Sequence, residues 1–140
     1  MQYSNHLLLA KNLALMHISL TEKIKGMILR SRDLVIDGES QITTTFKDEI
    51  IKDKLEKIVE KLHLYGHVVL QAIISSDNEL KIIECNPRFG GASTVSIKAG
   101  LDSFYWFYLE SMGTNLNSVH FIQESSSIKQ VRVKEDMYIW

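Results

Sequence analysis

Cysteine and proline occur once each in the 140 residues. The lone Cys85 excludes an internal disulfide and a cysteine-based metal cluster. It reads as a small packing residue, not a nucleophile, and fits a reducing cytoplasm. No apolar run approaches the roughly 20 residues that span a bilayer. Residues 1–6 lack a basic region leading into a sustained apolar core, so no signal peptide is expected. Charge of one sign is not in excess: the formal net charge is −1, which recommends neither nucleic acid nor an anionic membrane as partner. The phosphate loop G-x-x-x-x-G-K-[ST], the G-x-G-x-x-G turn, H-E-x-x-H and the G-x-S-x-G elbow are all missing. The five histidines have no spacing that suggests zinc. What is present is 45% hydrophobic and 24% charged residues, enough for the core of one globular domain. No repeat, low-complexity tract or interdomain linker interrupts it.

The most informative stretch is Glu84-Cys85-Asn86-Pro87-Arg88-Phe89-Gly90-Gly91-Ala92-Ser93. Its lead-in, Leu80-Lys81-Ile82-Ile83, reads as a strand that the proline closes. Strand side chains alternate, so Glu84, Asn86 and Arg88 share one face and Ile83 and Cys85 the other. Carboxylate and amide oxygens are ligands that Mg²⁺ selects, leaving its other positions to water and phosphate. A neighbouring arginine suits phosphate through its two-pronged donor fork. Gly90-Gly91 permits close backbone approach, and Ser93 or Thr94 is placed to cap a helix whose free N–H groups also favour an anion. The plainer alternative is a half-buried strand in which Glu84 pairs with Arg88.

Glu-x-Asn-Pro-Arg-x-Gly-Gly resembles the metal-binding strand of the ATP-grasp ligases, especially the branch similar to the large subunit of carbamoyl-phosphate synthase. The resemblance runs from about residue 25 to the end and covers only the C-terminal part of such a domain. It implies that Glu84 and Asn86 hold Mg²⁺ (or Mn²⁺) on ATP. It further implies that Arg88 contacts the transferring phosphate as the catalytic residue, with Gly90 and Gly91 beside the nucleotide.

Before that motif, residues 1–24 are the least readable, with an edge strand plus helix as one expectation. Residues 25–36 and 39–44 read as two strands joined by the hairpin dipeptide Asp37-Gly38. Arg30 and Arg32 share a face there, and solvated surface arginines are the favoured reading over ligand contacts. A helix is predicted over 47–64 from Ile50, Ile51, Leu55, Ile58, Val59 and Leu62. Thr45 and Asp48 outline a capping box, and Gly66 ends the segment. Its lysines and acids form a solvated face.

Residues 67–74 form a strand expected to be covered on both faces, with Gln71 as the polar exception. A four-residue loop would set Ser75 against Leu80 and hence Gln71 against Glu84. Gln71 is then a third candidate metal ligand; the alternative is a core glutamine satisfied by the backbone. After the motif come a short helix, 93–99, stopped by Gly100, and a second one opened by Asp102 or Ser103. Phe104-Tyr105-Trp106-Phe107-Tyr108 reads as core or interface, not as a base-stacking platform. Residues 128–134 alternate as a final strand.

These features predict an α+β fold: a mostly antiparallel sheet with helices on one face, forming one partial ATP-grasp domain over residues 1–140. The resemblance implies ATP- and Mg²⁺-dependent ligation of a small-molecule carboxylate to an amine or ammonia through an acyl phosphate. No glycine-rich flap or nucleotide-gripping lysine precedes the motif, so little activity alone is expected. A homo-oligomer, or association with a missing N-terminal part, is the expected assembly. The alternatives are a non-catalytic remnant serving as an oligomerisation or binding module, and a stand-alone metal-binding module for another phosphate compound.

Overall fold

A computed structural model describes the backbone of residues 13–18 and, with side chains, residues 24–75 and 79–139. The expected α+β architecture is present. Strands β1 (Leu13–Ile18), β2 (Ile24–Ile36), β3 (Glu39–Phe46), β4 (Gly66–Ile74), β5 (Leu80–Asn86) and β6 (Lys129–Val131) form one sheet. Their order is β5-β4-β1-β2-β3-β6, and every pairing is antiparallel. The helices are α1 (Glu49–Leu62), α2 (Ser93–Lys98) and α3 (Ser103–Ser111), followed by a 3₁₀ turn at Leu116–Ser118.

The helices divide between the two faces of the sheet, not one face as expected. Residues of alternate parity leave a strand on opposite sides, and here both sides are apolar at the centre. Met27, Leu29, Val68 and Leu70 meet Leu55 and Val59 of α1. Ile28 and Val69, between them in sequence, meet Ala99, Leu101, Trp106 and Leu116 on the opposite side. The near-continuous apolar run of β4 follows from that double cover.

Local chemistry sets the boundaries. Asp37 (φ 52) and Gly38 (φ 78) make the tight β2–β3 turn, as predicted. Helix α1 starts at Asp48, whose carboxylate accepts from Ile51 N at 3.0 Å. Thr45 takes no part in that cap: it belongs to β3, and its hydroxyl accepts from Ile128 N at 2.8 Å. His63 (φ 49) caps the end of α1, and Gly66 (φ 81) opens β4 instead of ending the helix. Gly100 (φ 103) separates α2 from α3; a Cβ there would also run into the carbonyl of Ile122. No side chain caps α2, because the Ser93 hydroxyl instead accepts from Gly90 N at 3.0 Å.

Three further expectations change. Strand β1 is central, between β4 and β2, not an edge strand; the rest of residues 1–12 and 19–23 lies outside the described residues. Cys85 is exposed on edge strand β5, not packed in a core, although partial burial raises its thiol pKa. The final strand is shorter than its alternating pattern, three residues pairing with β3.

Candidate functional site

The β4–β5 hairpin presents the motif. Gln71 pairs with Glu84, Leu70 with Cys85 and Val69 with Asn86, as counted from the sequence. Nearer the turn the register differs: Ile74 pairs with Leu80, Ile73 with Lys81 and Ala72 with Ile82. The one-residue shift leaves Ile83 as a β-bulge. Its consequence is chemical. Strict alternation would place Leu80, Ile82 and Glu84 on one face. With the bulge, Leu80 and Ile82 pack toward α1, while Glu84 and Asn86 turn to the other face beside Gln71.

There they line a cavity of about 230 Å³. Glu84, Asn86, Arg88, Gly90, Gly91 and Gln71 all border it, so every residue singled out for metal or phosphate faces one space. Arg88 is not paired with Glu84: it donates to the Phe89 carbonyl at 3.3 Å. Glu84 instead meets Gln71. With its amide oriented to satisfy both neighbours, Gln71 donates to Glu84 Oε2 (3.1 Å) and accepts from Arg32 (2.9 Å). Its oxygen is thus engaged by Arg32, and only an amide rotation would offer it to a cation beside Glu84.

Sequence reasoning underrated the arginines. Arg30, Arg32 and Arg132 join Arg88 around the cavity, against two glutamates, Glu39 and Glu84. Arg30 is 1% exposed; it donates to the carbonyl of Ala92, and its Nε has no hydrogen-bond partner among the described residues. Burial first, and Arg32 second, lower its pKa to about 10. Arg32 is half-buried and tied to Ser40 Oγ at 2.8 Å and the Gly38 carbonyl at 2.5 Å. The surface reading therefore fails for both. Arg132 pairs with Glu39 at 3.0 Å. It reaches the cavity because Gly91 has no side chain: a Cβ would sit 2.5 Å from its guanidinium nitrogen. Alternation places Arg30 and Arg32 on the face of Ile28, which was readable; the approach of Arg132 from the far end of the sheet was not.

The donor set suits a hard cation in part. Glu84 and Asn86 offer oxygens from neighbouring positions on one strand face, and a single carboxylate leaves room for phosphate oxygens. Among the described residues no group of three or more His, Cys, Asp or Glu could hold a metal alone. The surplus of arginine over glutamate favours an anion, and the cavity is large enough for a phosphate or carboxylate group. On the same face, Phe89 stacks on Phe104 with ring centres 3.7 Å apart and packs against His67 at 3.9 Å. Tyr105 and Tyr108 of α3 are exposed while Trp106 is buried, so the aromatic run is partly core and partly surface.

The fold is that of known carboxylating enzymes. The chain is similar to biotin carboxylase from Campylobacter jejuni, solved as a β,γ-ATP complex: TM-score 0.69, 15% identity, 86% of this chain and 29% of that one. The biotin carboxylase domain of Hydrogenobacter thermophilus 2-oxoglutarate carboxylase, a dimer with MgADP, ADP and bicarbonate, gives 0.66 and 14%, over 86% and 28%. N5-carboxyaminoimidazole synthetase from Staphylococcus aureus gives 0.57 and 19%, over 77% and 31%. The chain thus spans less than a third of the length of these proteins. No curated protein matches the sequence. The family model described as ATP-grasp in the biosynthetic pathway with Ter operon matches residues 18–135, and the chain belongs to that ATP-grasp family.

Proposed function

We propose that this chain is the phosphate- and metal-side part of an ATP-dependent ligase, of the type similar to carbamoyl-phosphate synthase. It would join a small-molecule carboxylate to an amine or ammonia in the cytoplasm. The carrying observation is the single cavity that collects Glu84, Asn86, Arg88 and Gln71 together with Arg30, Arg32 and Arg132. Glu84 and Asn86 would hold Mg²⁺, which when bound supplies neutralisation of phosphate charge.

In the first step a carboxylate oxygen of the substrate attacks the γ-phosphorus of ATP and ADP leaves. In the second, the amine attacks the acyl carbon, inorganic phosphate leaves and the amine loses a proton. The residues of this chain act by position and charge. Arg88 contacts the transferred phosphoryl group. Arg32 and Arg132, already anchored by Ser40 and Glu39, hold anionic oxygens without having to reorganise. Gly90 and Gly91 leave the backbone and Arg132 free to approach. Gln71 orients Glu84 through its amide.

The residues around the cavity offer contacts for phosphate and metal, and such contacts alone hold a nucleotide weakly, so ATP binding by the chain is expected at about the millimolar level, where the free energy is about −4 kcal/mol. Paramagnetic broadening of amide NMR signals by Mn²⁺ tests the assignment. Signals around Glu84, Asn86 and Gln71 should broaden in the presence of ATP, and Glu84→Gln should remove the effect. Broadening confined to the Asp48, Asp53 and Glu56 region, or ATP binding indifferent to Arg88→Ala, would sink the reading.

A second reading rests on Tyr105, Tyr108 and Met112, which are 52%, 57% and 68% exposed along one side of α3 and its end. A contiguous apolar surface of that kind favours self-association. Sedimentation at tens of micromolar, a range matched to weak association, should show a dimer or larger species that Tyr108→Glu dissociates. A monomer under those conditions removes this reading.

A further inference from the structure

A second cavity lies beside the first. It has a volume of about 480 Å³ and is lined by Tyr65, Gly66, His67, Pro87, Arg88, Phe89, Phe107, Glu110 and Ser111. That volume falls within the range of small-molecule sites, which are mostly apolar with a few polar groups. Its position follows from β4. His67 lines this cavity, whereas Val69 and Gln71 line the other. These three share one sheet face, and same-face neighbours stand roughly 7 Å apart. The segment Pro87–Phe89 crosses between the two spaces, and Arg88 borders both.

The geometry points to the second cavity as the seat of the substrate's organic body. We propose that the carboxylate substrate is monoanionic with an aromatic or bulky aliphatic group; its carboxylate reaches Arg88 and its body lies against Tyr65, Phe89 and Phe107. This deepens the ligase reading and rests on it. Three observations support the choice. Arg88 has no carboxylate partner among the described residues, so its charge is available to a ligand. Tyr65 (62% exposed) and Phe107 (51% exposed) stand at the rim, while Phe89 is fixed by stacking on Phe104. Phe107 meets Phe89 edge-on with ring centres 6.4 Å apart, so a flat apolar group would lie against this aromatic wall, not between its rings. Arg88 is the one arginine or lysine among the described residues that line the cavity, which matches a single negative charge on the ligand.

The test titrates the full chain by NMR with 3-phenylpropionate, acetate and 3-phenylpropanol. We expect 3-phenylpropionate to move the amides of residues 65–67 and 107–111, with a Kd at least about tenfold below those of the other two probes. The exposed rim makes Tyr65→Ala and Phe107→Ala tolerable to the fold. Each should raise the Kd of 3-phenylpropionate about threefold or more and leave the response to phosphate at residues 84–91 unchanged. Equal Kd values for 3-phenylpropionate and acetate, or indifference to both substitutions, overturn the proposal. So does a dimer that buries Tyr65 and Phe107. Mn²⁺ and phosphate responses at residues 84–91 report on the ligase reading separately. If they appear without a 3-phenylpropionate response, the second cavity is ruled out and the ligase reading stands. If 3-phenylpropionate binds without them, the cavity is supported as an acid-binding site and the ligase reading falls.

Discussion

The two faces of the sheet use the same strands for opposite ends. On the α1 side, Met27, Leu29, Val68 and Leu70 close over Leu55 and Val59, and the surface is sealed. On the other side the sequence begins similarly, with Ile28 and Val69 under Ala99 and Trp106. Two residues further along each strand it turns to Arg30 and Gln71, and the face opens into a charged cavity. The first arrangement removes apolar area from water, which is favourable wherever the packing is complete. The second buries an arginine without a carboxylate partner among the described residues, which is unfavourable unless something anionic arrives. One face holds the fold together; the other carries a cost that a ligand can relieve.

The largest break in that comparison should come from the sealed face. Leu55 is 2% exposed at the centre of the α1 contact. Leu55→Ala removes buried methyl groups and leaves a void, so a loss of about 2–5 kcal/mol is expected in chemical denaturation. At concentrations and temperatures where the variant still folds, its phosphate affinity should match the parent. A ligand site that weakened in step with the core would show that the two faces are not independent.

The next effect should have the opposite sign. Arg30→Met keeps a long apolar stem at a buried position and removes the charge. The ligand-free variant should be about 1–3 kcal/mol more stable than the parent, as found when buried ionic groups give way to apolar ones. In saturating phosphate the order should narrow or invert, because the parent, with one more arginine at the cavity, gains more from anion binding. The pH dependence gives a second handle. The folded pKa of Arg30, about 10, lies below the ordinary guanidinium range, so the unfolded state binds more protons from about pH 10 upward. The cost of the buried charge is therefore fully present below about 10 and is relieved as pH rises above it. The stability gap between variant and parent should shrink above that pH. A variant less stable than the parent at neutral pH, with or without phosphate, would mean that the bond to the Ala92 carbonyl outweighs the desolvation.

The same contrast separates what the sequence disclosed from what it did not. Within single elements, patterns were sufficient: Asp37-Gly38 set one hairpin, and Gln71 could be counted onto Glu84 across another. The count succeeded because a shorter turn register and the extra residue Ile83 offset each other, and no local rule reveals such an offset. Alternation alone would have placed Glu84 with Ile82. An apolar stripe such as that of α1 says that a helix is covered, not which side of the sheet covers it. That is decided by connection geometry, and it is why helices turned up on both faces. Cys85 was misplaced for a related reason: strand order, a long-range property, makes β5 an edge. Arg132 lay beyond reach because it meets Gly91 only after the whole sheet has formed.

The smallest predicted effect compares the faces at the starts of their helices. Asp48 caps α1 by accepting from Ile51 N at 3.0 Å, and Asp102 caps α3 by accepting from Tyr105 N at 3.2 Å. Replacing either by alanine leaves a helix N–H without its side-chain acceptor, and each should cost about 1 kcal/mol in stability. Their effects on ligands should differ. Helix α1 backs the sealed face and contributes nothing to either cavity, so Asp48→Ala should leave the binding of phosphate and 3-phenylpropionate unchanged. Helix α3 carries Phe107, Glu110 and Ser111 to the apolar cavity. Fraying of its first turn in Asp102→Ala should therefore weaken 3-phenylpropionate about two- to threefold while phosphate binding holds. Denaturant midpoints and paired titrations of the two variants read both quantities. Equal weakening of 3-phenylpropionate by both substitutions would show that loss of stability, not the placement of α3, governs that cavity.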